Sequence, residues 1–234
     1  MPTPVTEIAY ITLKPDIDIS GSSDAAKAWK HVLTIIARQG GYQGSSYGRA
    51  IESPELLMWF IDWDSYDSHI KFTKAPAYDD FRKIVDGIMT GVHYHHVAFK
   101  PFPPKISTSA PVIEFATFLD TKPHFLDNVD KFMKAVGVPE KCYGGAWGDS
   151  VETDVGKHVD GSVKGKVTVV LIGWESKEAH MEFRETETFA ENIGLLREGM
   201  GGVEMRDWEG VRYGEENYRY LLLKKTSNGA RKLA

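Results

Sequence analysis

Histidine is the side chain best suited to move protons near neutral pH, and this chain distributes its histidines in a telling way. His69 and His180 stand at matched places, each at the end of a Trp-x-Ser-x-x-x-His run that starts at Trp63 and at Trp174. Either could take a proton from a phenol or an acidic carbon. Either could also pack on its tryptophan and fix a helix start, a duty both places would share. His93, His95 and His96 fall in one run, VHYHHVAFK, where the matching residues are Glu204, Arg206 and Asp207. By strand alternation His93 and His95 share one face, and Tyr94 and His96 the other. Two strand histidines with His69 would suit zinc or iron if they converged. No cysteine or carboxylate is spaced with them as a recognised site, so the expectation is no metal and no cofactor. His93 and His95 are then expected to transfer protons or to hydrogen-bond a substrate.

Other residues complete a possible pocket. Trp59 and Trp63 share a strand face and could wall a flat ring; core packing is the competing reading, since large aromatics dominate cores. Val170 stands opposite Trp59 in the repeat, so Trp59 is the better candidate. Tyr47 and Arg49 share a face of the preceding strand, and Arg49 could hold a phenolate. Tyr78 completes the set: His69, His93, His95 and Arg49 for chemistry, Tyr47, Trp59, Trp63 and Tyr78 for binding. Tyr143, Trp147 and His180 are weaker equivalents, because Asp149, Glu204 and Asp207 make their surroundings more acidic.

These residues need elements to place them, and the chain supplies the elements twice. Trp63, Ser65, His69, Phe72 and Tyr78 pair with Trp174, Ser176, His180, Phe183 and Phe189 at an offset of 111. Tyr47-Gly48 and Ile51-Glu52 pair with Trp147-Gly148 and Val151-Glu152 at an offset of 100, and Glu7 with Glu114 at 107. A pattern shared across strand, turn and helix means two copies of one unit. The change of offset places an insertion near Val155 to Lys166. Each copy reads strand, helix, hairpin, helix, strand. Ser22 and Ser23, Ser65, Thr121 and Ser176 are positioned as helix caps. The domain division is 1–100, a proline-rich linker over 101–110, a second repeat over 111–225 whose residues from 209 have no counterpart, and a disordered tail over 226–234.

Composition bounds the function. The chain has 234 residues, 42% hydrophobic and 26% charged, with net charge −5. That balance, with lysine and arginine scattered, argues against nucleic-acid binding. Cys142 is the single cysteine, which excludes an internal disulfide and fits a reducing cytoplasm. No signal peptide or apolar membrane run is read. Glycine-rich phosphate loops and the Gly-x-Ser-x-Gly elbow are missing.

The duplicated βαββαβ plan resembles the dimeric α+β barrel superfamily. The Trp-x-Ser-x-x-x-His passage resembles its antibiotic-biosynthesis monooxygenase branch. The resemblance covers residues 4–100 and 111–209. It implies an α+β fold of two tandem ferredoxin-like repeats, whose antiparallel sheets form a pseudo-symmetric barrel with helices outside. It also implies metal- and flavin-free oxygenation of an aromatic, polyketide-type small molecule in a pocket between sheet and helices. A cyclase or isomerase on a similar substrate, and a non-catalytic ligand-binding or stress-response protein, are the alternatives. Tandem fusion makes a monomer with an internal pseudo-dimer sufficient, with homodimerisation left open.

Overall fold

In the computed structural model of the chain, residues 2–51, 53–155 and 165–213 are described, the side chains as far as residue 207. Strand alternation decides the architecture. In β1 (Val5–Leu13), Val5, Ala9 and Ile11 face one way, while Ile8 and Tyr10 face the other. α1 (Asp24–Ala37) packs on the first of these faces. Its Ser23 cap accepts the Ala26 N–H at 3.0 Å, and Trp29, Val32, Leu33 and Ile36 form its buried stripe. β2 (Tyr42–Ala50) and β3 (Leu56–Trp63) form the hairpin. α2 (Tyr66–Thr73) and α3 (Ala77–Ile88) are separate helices, because Pro76 interrupts the helical run that the sequence reads as continuous. β4 (Met89–Val97) closes the repeat.

The second copy follows the same order. β5 (Val112–Leu119), α5 (Phe125–Val136), β6 (Cys142–Asp149) and β7 (Thr168–Trp174) lead to α6 (Lys177–Arg184), α7 (Glu187–Asn192) and β8 (Gly202–Tyr213). Thr121 does not cap α5: its hydroxyl donates to the Lys166 carbonyl at 3.3 Å. Strand order is β4-β1-β3-β2 in one repeat and β8-β5-β7-β6 in the other. These are two four-stranded antiparallel sheets with helices outside, as the repeat predicts.

Two seams join the sheets. β2 pairs with the far end of β8, from Ala50↔Trp208 to Ser45↔Tyr213. Opposite it, the chain leaving β4 bridges β6 at Val97↔Ser150 and Lys100↔Trp147. Residues 209–211 therefore do have a counterpart in their pairing, in 98–100. Gly148 permits the second seam, since a Cβ there would collide with the Ala98 carbonyl. The barrel interior holds Ile8, Tyr10, Met58, Phe60, Phe115 and Leu171. The stretch expected as a plain linker includes α4 (Ile106–Ser109), whose Ile106, with Ala110 behind it, joins that interior. Outside it, one apolar cluster lies under α1 to α3 and another under α5 to α7. Residues 214–234 and 156–164, where a tail and most of the insertion are expected, lie outside the described residues. Among the described residues no helix is long and apolar enough to cross a membrane.

Candidate functional site

The first repeat has a cavity of about 350 Å³ between its sheet and its helices. Its walls are apolar and aromatic: Trp59, Ile61, Phe72, Tyr78, Phe81 and Val85. Glu7 and His69 also line it, with Tyr94 and Arg82.

Local sequence puts His69 there. Ser65 caps α2, accepting the Ser68 N–H at 3.3 Å. Asp64 in turn takes the Ser68 hydroxyl at 2.6 Å. Gly41, at φ +88°, sits so close that a Cβ would press on Ser68 and Asp64. This fixes the start of α2 against the end of α1, and one turn later His69 points at the sheet. Its ring stacks on Trp63 at 5.4 Å. Trp63 donates its indole N–H to Glu7 Oε2 at 3.0 Å. Glu7 Oε2 lies 3.5 Å from His69 Nε2. His96, opposite Glu7 in the β1–β4 register, brings Nε2 to 2.7 Å from His69 Nδ1. Beyond it, Glu152 meets His96 twice, at the ring Nδ1 (2.6 Å) and at the backbone N–H (3.0 Å).

Burial governs the charge of this group. Loss of water pushes the Glu7 carboxyl up to about 7, against the pull of His96 and the Trp63 bond. The same loss takes His69 down to about 3. Glu152 goes the other way. Burial raises it, but the ring and backbone N–H bonds from His96 outweigh that and hold it below the ordinary carboxylate value. His96 Nδ1–H donates to the Glu152 carboxylate, which leaves His96 Nε2 facing His69 Nδ1 with one proton between the two rings, and His69 Nε2 facing Glu7.

Three of the residues singled out from sequence meet in the cavity: His69, Trp59 and Tyr78. Trp63 lies behind them as the support of Glu7 and His69. The others are elsewhere. His93 and His95 occupy the opposite face of β4, His95 buried in the barrel and His93 exposed, with rings 4.4 and 5.7 Å from Tyr10 for His93 and His95 in turn. Alternation is the reason: the face that meets His69 carries Tyr94 and His96. Arg49 is spent on the backbone, donating to the carbonyls of Pro54 (2.6 Å) and Ile17 (3.0 Å). Tyr47 packs edge-on against Trp29 at 5.2 Å, outside the cavity wall. Sequence reasoning missed Glu7 as a site residue, although its recurrence as Glu114 was a signal. It also missed His96, Tyr94 and Arg82. Glu152 reaches the site from the second repeat, which only the closed barrel reveals.

Among the described residues, Glu7, His69 and His96 form one cluster whose possible ligand atoms come within 4.8 Å of one another. They do not converge on a point. Glu7 meets one edge of the His69 ring, and His96 the other. The 2.7 Å between the imidazoles is a hydrogen-bond distance, whereas nitrogens on a tetrahedral zinc sit about 3.3 Å apart.

The second repeat repeats part of this. Trp174 donates to Glu114 at 2.9 Å, and His180 Nε2 lies 3.4 Å from the same carboxyl. Burial raises Glu114. In the place of His96 stands Asp207, 3.4 Å from His180 Nδ1 and 3.3 Å from Lys177. The cavity here is smaller, about 200 Å³, lined by Glu114, His180, Arg184 and several methionines. Tyr143 is exposed and Trp147 donates to Asp130 at 2.5 Å, so neither lines it.

No family model matches the sequence, and no curated protein does. Solved structures do match. An anthrone oxidase-like protein aligns over 92% of this chain and 95% of its own, with a TM-score of 0.63 and 14% identity. Monooxygenase candidates from Fusobacterium nucleatum and Lactobacillus acidophilus give TM-scores of 0.59 and 0.56, each at 12% identity. Both alignments cover 89% of this chain, and 93% and 94% of theirs. At such identity the likeness shows the fold: tandem α+β barrel repeats, shared over nearly the whole chain with monooxygenase-like proteins.

Proposed function

We propose that the first repeat is a cofactor-independent oxygenase acting on an aromatic, polyketide-type small molecule. The observation that carries this is the Glu7–His69 pair, its carboxyl raised to near neutrality by burial, opening into an aromatic-lined cavity. Fold likeness to an anthrone oxidase-like protein is consistent with it and is an analogy only.

A flat ring system enters between Trp59 and Tyr78. Glu7, with a pKa near neutrality, is partly ionised near pH 7, and that carboxylate form accepts a proton from an acidic C–H or phenol. His69 is too weakly basic to hold that proton as an ion, and serves as hydrogen-bond partner to Glu7 instead. The electron-rich substrate anion reacts with dioxygen to give a peroxide. The peroxide takes up a proton and loses water, leaving a ketone where a CH₂ stood. Per turnover one dioxygen is consumed and one water formed. Arg82, at the cavity wall, supplies the positive charge that faces the anion. The chain acts as a cytoplasmic monomer on this reading, each repeat completing the other's barrel.

Dioxygen uptake with an anthrone-like substrate tests it. One dioxygen per ketone, with Glu7→Gln abolishing uptake in a folded protein, is expected. Turnover of an aromatic substrate without dioxygen would move the assignment to a cyclase or isomerase.

A further inference from the structure

The Glu7–His69 pair is not where the polar contacts end. Glu7, His69 and His96 have side chains 8%, 4% and 1% exposed, whereas Glu152 is 27% exposed. Contact by contact, the chain runs from the cavity floor to the one member that meets water. We propose that Glu7, His69, His96 and Glu152 form a proton path from the first-repeat cavity to the barrel seam, its exit supplied by the second repeat. The path rests on the reading of Glu7 as the group that receives the substrate's proton.

With the shared proton on His69 Nδ1, these contacts permit one concerted transfer. Glu7 passes its proton to His69 Nε2. His69 Nδ1 releases its own to His96 Nε2, and His96 Nδ1 releases its own to Glu152 Oε1, which gives it to water. Each bond to hydrogen that breaks is matched by one that forms, and no electrons leave. Each ring gives up a proton as it gains one, so the transfer adds no charge to the buried middle of the path. Each ring ends in its other tautomer, so the next proton can only run inward. One proton out and one back is what oxygenation through a peroxide requires. Tyr66 and Tyr94, whose rings lie 4.8 and 6.0 Å from His96, screen the middle of the path.

Among the described residues the path is not repeated at the second cavity: His180 meets a carboxylate, Asp207, that is only 8% exposed and paired with Lys177, and no second imidazole adjoins it.

The test uses the full chain with nitrogen-15 histidine. Nuclear magnetic resonance should show Nδ1 protonated in both rings, with coupling across the His69–His96 bond. Glu152→Gln keeps an acceptor for the His96 ring but cannot take up a proton. It should slow exchange of the bridging proton with water about tenfold or more, with a lower melting temperature because the amide cannot accept from both the ring and the backbone N–H of His96. Equal exchange in the two proteins would overturn the path. So would stoichiometric binding of added zinc(II) or iron(II) with loss of the coupling, which would make the cluster a metal centre. With an anthrone-like substrate, Glu152→Gln should lower kcat, leave KM alone and raise the solvent isotope effect, and Glu152→Asp should restore part of the rate. If Glu7→Gln leaves dioxygen uptake intact, the proton-acceptor reading fails, while the exchange rates still decide the path.

Discussion

The Glu7 carboxyl and the His69 imidazole stand 3.5 Å apart, and burial drives both to their uncharged forms. At this spacing opposite charges attract, yet loss of hydration weighs more, so a proton held by this apparent ion pair sits on the carboxyl and not on the imidazole.

Stability should record this. Glu7 moves from 4.5 to about 7, so the unfolded chain loses that proton first and the fold weakens as pH rises through this window. His69 moves from 6.5 to about 3, so the unfolded chain gains that proton first and the fold weakens as pH falls through its window. Between pH 4.5 and 6.5 the two slopes cancel. Glu7→Gln should uncover the histidine slope. Relative to the parent, its unfolding free energy should gain about 1.4 kcal/mol per pH unit across that interval. Urea unfolding at a series of pH values measures this, and parallel curves would refute it.

Trp63→Phe and Trp174→Phe should each cost about 1–3 kcal/mol, because a buried carboxyl loses its indole donor while the ring contact is kept. The Glu7 titration, followed by carbon-13 resonance, should move still higher in Trp63→Phe and stay in place in Trp174→Phe. A Glu7 titration indifferent to Trp63 would show that the indole bond does not matter.

The repeats should be unequal in function. His69→Ala is expected to reduce turnover strongly, since it removes the partner of Glu7 and opens the network behind it. His180→Ala should change melting temperature and leave turnover nearly intact. Rates and melting curves of both variants decide this, and loss of turnover in a well-folded His180→Ala alone would place the site in the other repeat.

Gly148→Ala should destabilise the protein by about 2 kcal/mol or more, because the added methyl meets the backbone of the facing strand, which cannot give way cheaply. Gly194→Ala, with open space around its Cβ position, is the control and should leave stability near that of the parent. Equal melting temperatures for the two would mean the seam is looser than it looks.

The fold was readable because repetition and alternation are local signals. Trp59, Ile61 and Trp63 on one face and Met58 and Phe60 on the other followed from counting residues in β3. His69 was readable from its repeated place after Ser65. The rest depended on closure in space. Alternation separated His93 and His95 from His96 but could not say which face met α2. Arg49 looked free for an anion until the fold laid the Pro54 and Ile17 carbonyls beside it. Glu152 belongs to residues far along the chain from His96, and only the barrel seam makes them neighbours.

That seam has a wider meaning. Were the barrel assembled from two identical chains, symmetry would oblige both seams to carry the same residues, and any change at one would appear at the other. A single polypeptide lifts that obligation. His96 faces Glu152 across one junction, while its counterpart Asp207 pairs with Lys177 of its own repeat. Covalent linkage of the repeats thus provides more than high local concentration. It lets one junction specialise while the other keeps the ring closed.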